Sequence, residues 1–563
     1  MRRIWLGLVL CSACVAEPTF NHRGARGDQG TPKIVPGEIA VDWREDATPQ
    51  QIAEATKRLG LSSEDQASDA QGELPATASH VSVVEALLAR LRGDPAVAVA
   101  EPVYEYSASF VPNDPDYRRQ WHMQQIGAEM AWNWGTGADV IVAVIDTGVS
   151  RLSDLPPSQL VPGYDFVHHR ALADDDQGHG SHVAGTIAQA TNNGSGVAGL
   201  AHGAKIMPIK VLDADGSGTT VHIAEGIRWA VDHGAKVLNL SLGGGGYSEV
   251  LARAVHYAHS HGVVVVCAAG NGFGPPVNYP AAYEDSIAVS AVRFDRKLAP
   301  YSSFGPEVTV AAPGGDTSVD QNGDGFPDGV LQQTLGGEFK WYQGTSMATP
   351  HVSAAAALLA GAGVTRVDAI EAILESTATK LGERDKYGAG EIDAGAALRH
   401  VRLWGGLWRV MLAIALALVA HRLVRRKELR AASLGPAGVV GLAVASSGLL
   451  LLPLAGWGHN EVTRILSTPL PEWGAIIHGG VTSSPLWLSA LGPFLILPGT
   501  RVRSLQGLVA GLCLGYAAYL AHASLVGWVD LTWIPGRLLE AIWLAGNAFL
   551  AFVLGMIALR PAR

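Results

Sequence analysis

Between residues 139 and 267, short apolar runs of strand length alternate with longer helix-forming runs. Residues 139–145, 205–211, 236–240 and 263–267 read as strands, and residues 220–233 and 247–261 as helices. The strand runs are nearly all apolar instead of alternating, as expected where a sheet is covered on both faces. Buried strands in strand–helix–strand order predict an α/β fold with a doubly wound, mainly parallel sheet. In open sheets of this kind functional groups gather at the carboxyl ends of strands, and Asp146 directly follows the first run.

A second feature is chemical. Gly-Thr-Ser-Met-Ala-Thr-Pro at 344–350 opens an alanine-rich helical run and sets Ser346 at its start. Unpaired N–H groups and the positive end of the helix dipole lie there, so negative charge developing beside Ser346 is stabilised. Many serines at helix starts are only N-caps, and a serine alcohol acts as a nucleophile only with an oriented base beside it. His179, in Gly-His-Gly-Ser-His-Val-Ala-Gly-Thr at 178–186, is a candidate base, and Asp146, in Val-Ile-Asp-Thr-Gly, a candidate orienting carboxylate. Two plainer readings compete: Asp146 as a turn residue, and Asp174, Asp175, Asp176, His179 and His182 as a metal-holding set.

These three segments, in the order Asp, His, Ser, resemble those of the subtilisin-like serine proteases (subtilases). The resemblance covers roughly half of the chain and implies a subtilisin-like catalytic domain over residues 113–400, closing with Tyr-Gly-Ala-Gly-Glu-Ile-Asp at 387–393. It implies that Asp146, His179 and Ser346 form a triad and that the Asn271 amide donates to the oxyanion together with a backbone N–H; an Asn-Gly turn is the plainer reading of Asn271. Ser241, Leu242, Gly243 and Ala268, Ala269, Gly270 are similar to the two walls of the family's primary specificity pocket, and Asn278 falls at its floor, implying a broad or apolar preference. Peptide or protein substrates follow from this.

The chain begins with Arg2, Arg3, a short apolar core and small residues, the pattern of a secretory signal over 1–16. Cys14 after Ala13 resembles the lipidated cysteine of bacterial lipoproteins, and ordinary cleavage nearby is the other reading. Residues 17–33 read as a linker, and residues 34–112 as a small α+β module: strands at 38–41 and 97–103, helices at 48–59 and 81–91. Ahead of a subtilase domain, such a module looks like the family's inhibitory propeptide, cut between Tyr104 and Pro112.

Asp320, Asn322, Asp324 and Asp328 fall at the first, third, fifth and ninth positions of a calcium loop, with Leu331 where an EF-hand carries its bidentate Glu. The spacing predicts a structural calcium site in an insert; a polar loop without metal is the alternative.

After residue 400 the composition changes. Apolar runs at 407–420, 437–455, 486–497, 505–526 and 538–559 predict a membrane domain over 401–563 with about five transmembrane helices. Residues 401–563 hold 13 Lys+Arg and 5 Asp+Glu, which leaves 28 and 46 of the totals before residue 401. The acidic soluble part excludes nucleic acid as a partner on electrostatic grounds. Arg422, Arg425, Arg426, Lys427 and Arg430 follow the first run, so the positive-inside rule puts that loop and the C-terminus in the cytoplasm, with the protease domain outside the cell membrane. The four cysteines imply no disulfide framework, and Cys267 reads as a buried thiol. Two functions remain: a membrane-anchored serine endopeptidase made as a self-processing zymogen, or a non-catalytic sensor or transporter component using the same fold for binding.

Overall fold

The computed structural model describes residues 34–44, 47–48, 50–51, 54–55, 90–91, 93–104, 110–427, 434–449, 452, 461–473, 486–531 and 533–560. The signal at 1–16, the linker at 17–33, most of the helices at 48–59 and 81–91, and the segment 105–109 lie outside them. The chain divides into two compact units, Met1–Ala108 and Ser109–Arg563. In the first, strands β1 (Ile34–Trp43) and β2 (Val97–Tyr104) pair antiparallel, with Ala40 opposite Glu101 and Asp42 opposite Val99.

The second unit is built on a seven-stranded sheet, in the order β4-β5-β3-β6-β7-β8-β9. Its strands are β3 (Ile141–Asp146), β4 (Tyr164–Asp165), β5 (Lys205–Lys210), β6 (Val237–Leu240), β7 (Val264–Ala268), β8 (Ile287–Val292) and β9 (Val308–Pro313). Every pairing between them is parallel. The strands are buried on both faces for the reason their composition suggests. Val142 and Val144 of β3 enter one core with helices α1 (His179–Ala188) and α4 (Thr345–Gly361). Ala143 and Ile145 enter the other, with α2 (Thr220–Asp232) and α3 (Glu249–Ser260).

Helix α4 crosses the core with Ala354, Ala355, Ala356 and Ala357 all buried. Alanine loses no rotamer entropy on burial and brings the helix axis close to the sheet. Leu358 and Leu359 supply apolar bulk, each contributing about 1.5–3 kcal/mol. Polar side chains cap the neighbouring helices: Thr219 accepts from the His222 N–H, and Ser248 from that of Leu251.

The C-terminal helical region starts without a linker. Helix α5 (Ala394–Arg399) runs through a π turn at His400–Trp404 into α6 (Gly405–Lys427), so residue 400 lies inside one continuous helix. Among the described residues three helices are long and apolar enough to cross a membrane: Ala394–Arg426, α9 (Gln506–Val526) and α10 (Arg537–Ala558). The other two runs, one adequate only with flanks and one short in the sequence, form shorter helices. α7 (Gly435–Ser446) has 12 residues, about 18 Å against a ~30 Å hydrocarbon core. It stops before Gly448, whose φ of +70° suits glycine and where a Cβ would meet the Ser467 carbonyl at 2.3 Å. The run at 486–497 yields α8 (Leu491–Ile496) and a 3-10 turn at Leu497–Arg501, because Pro493 and Pro498 each remove a helical N–H.

Candidate active site

Three strand ends and two helix starts form the site. Asp146 closes β3, fully buried; its Oδ1 accepts from the Thr147 N–H at 2.7 Å and from His179 Nδ1 at 2.7 Å. His179 opens α1, not the middle of a loop, because Gly180 lets that turn close on the strand end: a Cβ there would sit 2.1 Å from the Gly148 carbonyl. Burial pulls the His179 imidazole toward its neutral form, but the charge and hydrogen bond of Asp146 outweigh it, with Asp175 adding, and hold its pKa above the ordinary 6.5.

Ser346 is the second residue of α4, half-buried, and its Oγ donates to the Ser241 carbonyl at 3.1 Å. Asn271, three residues past β7, is exposed on its amide side while Oδ1 accepts from both the N–H and the Oγ1 of Thr345, each at 3.0 Å. That pair of bonds fixes which end of the amide points outward, leaving Nδ2 as the donor. Gly344, with φ +148°, keeps the adjoining space open: a Cβ built on it would lie 3.4 Å from Asn271 Nδ2 and 3.6 Å from the Ser346 N–H nitrogen. Two donors therefore face one small volume at a helix N-terminus, where a negative oxygen is stabilised.

Ser241, Leu242 and Gly243 follow β6, and Ala268, Ala269 and Gly270 end β7 and lead out of it. The segments approach each other across Asn278: a Cβ on Gly243 would lie 3.5 Å from Asn278 Cβ, and one on Gly270, where φ is +112°, 2.3 Å from its Nδ2.

Several supporting residues escaped the sequence reading. Lys210 is fully buried at the end of β5 and donates to the carbonyls of Thr147 and Leu212 and to Asp176, at 2.7–2.8 Å. Asp175 accepts from Thr147 Oγ1 and from the N–H groups of Gln177, Gly178 and Ser181. Both brace the loops that carry Asp146 and His179. A Lys210→Met variant leaves three acceptors without their donor and is expected to lose about 3 kcal/mol of stability, read as a lower denaturant midpoint; an unchanged midpoint would deny the brace.

The competing metal set is dispersed. Asp175 and Asp176 are engaged as above, and His182 Nε2 donates to the Val330 and Lys340 carbonyls, both at 3.0 Å. Burial pushes His182 down to about 3. His182 also stacks on Tyr342 at 4.3 Å, tying α1 to the hairpin of β10 (Val330–Gln333) and β11 (Phe339–Tyr342). Among the described residues no three His, Cys, Asp or Glu side chains converge as a metal-holding group. Cys267 is buried, and burial pushes its thiol up, away from reactivity.

The calcium-type loop is self-bonded. Asp320 accepts from the N–H groups of Gly323 and Gly325, Asn322 Oδ1 from that of Asp324, and Asp324 Oδ1 from that of Phe326. Asp328 is buried; Oδ2 accepts from the Gln321 N–H at 2.6 Å, and Oδ1 is buried without a partner. Burial raises the Asp328 carboxyl above its ordinary range, and the charges of Asp320 and Asp324 raise it further.

Residues 137–390 match the family described as "Subtilase family". A "Thermophilic serine proteinase" of Bacillus sp. (strain AK1) is 37% identical over 359 residues, 63% of this chain and 86% of the relative. The chain belongs to the subtilase family. "Thermitase" of Thermoactinomyces vulgaris is 39% identical to this subtilase over 293 residues, 52% of this chain and all of the relative. A solved protease from Pseudoalteromonas arctica PAMC 21717 is 36% identical, covered in full by 52% of this chain, with a TM-score of 0.48. The subtilase carries a further segment, residues 405–563, matching a "Domain of unknown function (DUF5942)". It is thus a subtilisin-like serine protease with a C-terminal helical region.

Proposed function

We propose that Ser346, His179 and Asp146 act as the catalytic triad of an endopeptidase that is made as a zymogen and anchored in the cell membrane. The observation that carries this reading is the 2.7 Å bond from His179 Nδ1 to buried Asp146, together with the Asn271 Nδ2 and Ser346 N–H nitrogens that both lie close to the space Gly344 leaves empty. Asp146 holds the proton on Nδ1, so Nε2 is free to take the proton of Ser346 as its Oγ attacks the peptide carbonyl. The carbonyl oxygen, now negative, receives the Asn271 Nδ2 and Ser346 N–H donors. His179 returns the proton to the leaving amine, and water repeats the sequence to release the acyl group. The Ser346 bond to Ser241 is the resting arrangement; catalytic bonds commonly tighten only when substrate is bound. Ser241 to Gly243 and Ala268 to Gly270 would hold the substrate's side chain, with Asn278 at the floor. A fluorophosphonate probe should label the processed wild type at Ser346; a probe that left it unlabelled would favour the non-catalytic binding module.

The β1–β2 pair, a unit separate from the catalytic one, is compatible with a propeptide released by a cut between Tyr104 and Pro112.

The oxygen-only donors of Asp320, Asn322, Asp324 and Asp328, and above all the unpartnered Asp328 Oδ1, suit a hard cation such as calcium. Bound there, calcium would have to draw together three carboxylates that do not converge in the structure, neutralising their mutual repulsion and locking the insert. Saturating calcium at a hundredfold excess over Kd should raise stability by about 2.7 kcal/mol. A melting temperature indifferent to calcium and chelator would argue for a metal-free polar loop.

Topology has support beyond charge. Arg402 and Arg409, at the start of the first span, hold Glu472 at 2.6 and 3.4 Å, so residue 472 lies on the protease side. Gln506 donates to the carbonyls of Ala558 and Arg560, at the opposite ends of α9 and α10. The chain must then cross between 427 and 472 and again between 472 and 506, which makes five passes, two of them through the short helices α7 and α8. A reporter fused after Arg563 should fluoresce as a cytoplasmic protein does; alkaline phosphatase activity there instead would make the number of passes even.

A further inference from the structure

We infer that the catalytic unit stands upright on its own membrane region and works at a fixed height, so that its substrates are extracytoplasmic protein segments roughly 25 Å or more from the bilayer, not bonds close to it. This rests on the membrane-anchored protease reading and adds the substrate class.

Among the described residues, the contacts between the catalytic unit and the outer ends of the spans lie along one edge of that unit. At the C-terminal end of α4, the Gly361 carbonyl accepts from Arg402, and a Cβ on Gly363, φ +90°, would lie 3.0 Å from the Glu472 carboxylate. The N–H groups of Thr365 and Arg366 donate to the Trp528 carbonyl at 2.9 and 3.2 Å, and Thr365 Oγ1 accepts from the Asp530 N–H at 2.8 Å. Arg366 pairs with Glu540 and donates to the Gly527 carbonyl. Gly262, two residues before β7, approaches Asp530, where a Cβ would sit 2.8 Å from its Oδ2. In a parallel sheet the beginnings of strands share one edge with the ends of the helices. The membrane side is therefore that edge, and Asp146, Asn271 and Ser346 occupy the other.

Two rulers give the height. Ser346 to Gly361 is most of the length of α4, roughly 23 Å at ~1.5 Å per residue. β7 itself, Val264 to Ala268, is roughly 13 Å at ~3.3 Å per residue, and the turns at Gly262 and Gly270 lengthen that path beyond both ends, so α4 sets the figure. The lower end of both rulers is the bilayer surface. On the helix that leaves the catalytic unit, Trp404, Trp408 and Met411 are 56%, 63% and 60% exposed, a band of aromatic and apolar side chains beginning two residues below Arg402.

Rigidity comes from three independent ties. The α5–α6 helix is continuous, and partly buried Arg402 joins buried Arg409 and Tyr519 on Glu472. Arg366 and Glu540, side chains 14% and 6% exposed, form the third tie on the far side of the edge. Ion pairs so little exposed to water are weakly screened and break only at a cost.

The test uses the full-length enzyme in proteoliposomes. One cleavable segment is offered free in solution and on a single-span anchor, behind an unstructured linker of 4 or 25 residues, with contour lengths of about 14 and 85 Å. The 25-residue substrate should be cut within about threefold of the 25-residue linker-bearing segment offered without an anchor, and the 4-residue substrate at least about 30-fold more slowly, since its bond cannot reach ~25 Å. Equal rates for the short and long linkers would overturn the inference. Independently, energy transfer from a fluorophosphonate fluorophore on Ser346 to acceptor-labelled headgroups should give a closest approach of about 25 Å, and a value below about 15 Å overturns it too. Failure to cut even the free segment, with no fluorophosphonate labelling, is a different result: it sinks the protease reading on which this one stands.

Discussion

Ser346→Ala is expected to leave the catalytic unit folded while removing proteolysis and propeptide release together. The folding half follows from what the side chain does at rest: it is half-buried, and its Oγ makes one bond, to the Ser241 carbonyl. Removing it takes one donor from the carbonyl of buried Ser241, so the loss of stability should be about 1 kcal/mol. The catalytic half is far larger. Without the alcohol there is no acyl-enzyme, and loss of the serine costs on the order of 10⁶ in kcat, a size known for subtilisin's own triad. Residual turnover would come from the Asn271 and Ser346-position N–H donors acting on water. The measurement is a pair: the melting temperature of purified variant against wild type, and the size of the protein made in a host that lacks other proteases. Accumulation of full precursor at an unchanged melting temperature is the expected result, and normal trimming of the variant would rule out self-cleavage.

How much of this was legible before the structure depends on the distance along the chain over which each feature is decided. The strands from 139 to 267 were readable because burial on both faces writes itself into every residue of β3, β5, β6 and β7. The segments around Asp146, His179, Asn271 and Ser346 were readable as short motifs, and the fold brings these four residues to one end of the sheet. What makes the site work as a unit is less local. Thr345 fixes the Asn271 amide across 74 residues, and Lys210 reaches Asp176 across 34. A hydroxyl next to a serine, or a lysine ending an apolar strand, carries no sign of such partners. The membrane region shows the same limit in another form. Hydropathy identified five apolar runs, but it does not register that Pro493 and Pro498 break one of them, that Gly448 ends another early, or that α5 continues into α6 through residue 400.

That continuity changes how the C-terminal region should be understood. A flexible linker would let the protease sample all orientations over the bilayer, and the spans would be a tether only. A continuous helix, with Glu540 seated on Arg366 of the catalytic edge and Glu472 on Arg402 just below it, would make the region, on the membrane-anchored reading, a stand with a defined height. Selection among substrates can then be geometric, by where a segment stands, as well as chemical, by what enters the pocket between Leu242 and Ala269.

Asp146→Asn is expected to lower kcat by about 10⁴ and to move the acid limb of the pH profile to lower pH. The rate effect arises from the tautomer: an amide at 146 can donate to His179 Nδ1, which puts the imidazole proton on Nε2, the atom that must accept from Ser346. The shift of the limb follows from the balance of forces on His179. Burial alone favours the neutral ring, and the Asp146 charge and hydrogen bond more than offset it, so the pKa stands above 6.5. The base is active only when neutral, so wild-type kcat/KM should fall as pH drops through that raised value. Removing the Asp146 charge leaves burial in control, and the limb moves acid of 6.5. Stability responds with the opposite sign. A raised folded-state pKa means the Asp146–His179 attraction stabilises fully below 6.5 and is lost as pH rises through the folded value, so the wild type should exceed the variant most at acid pH. Activity profiles of the two proteins on one peptide, and their melting temperatures at pH values on either side of 6.5, measure both signs. A limb that stayed in place, or moved to higher pH, would show that Asp146 does not set the charge of His179.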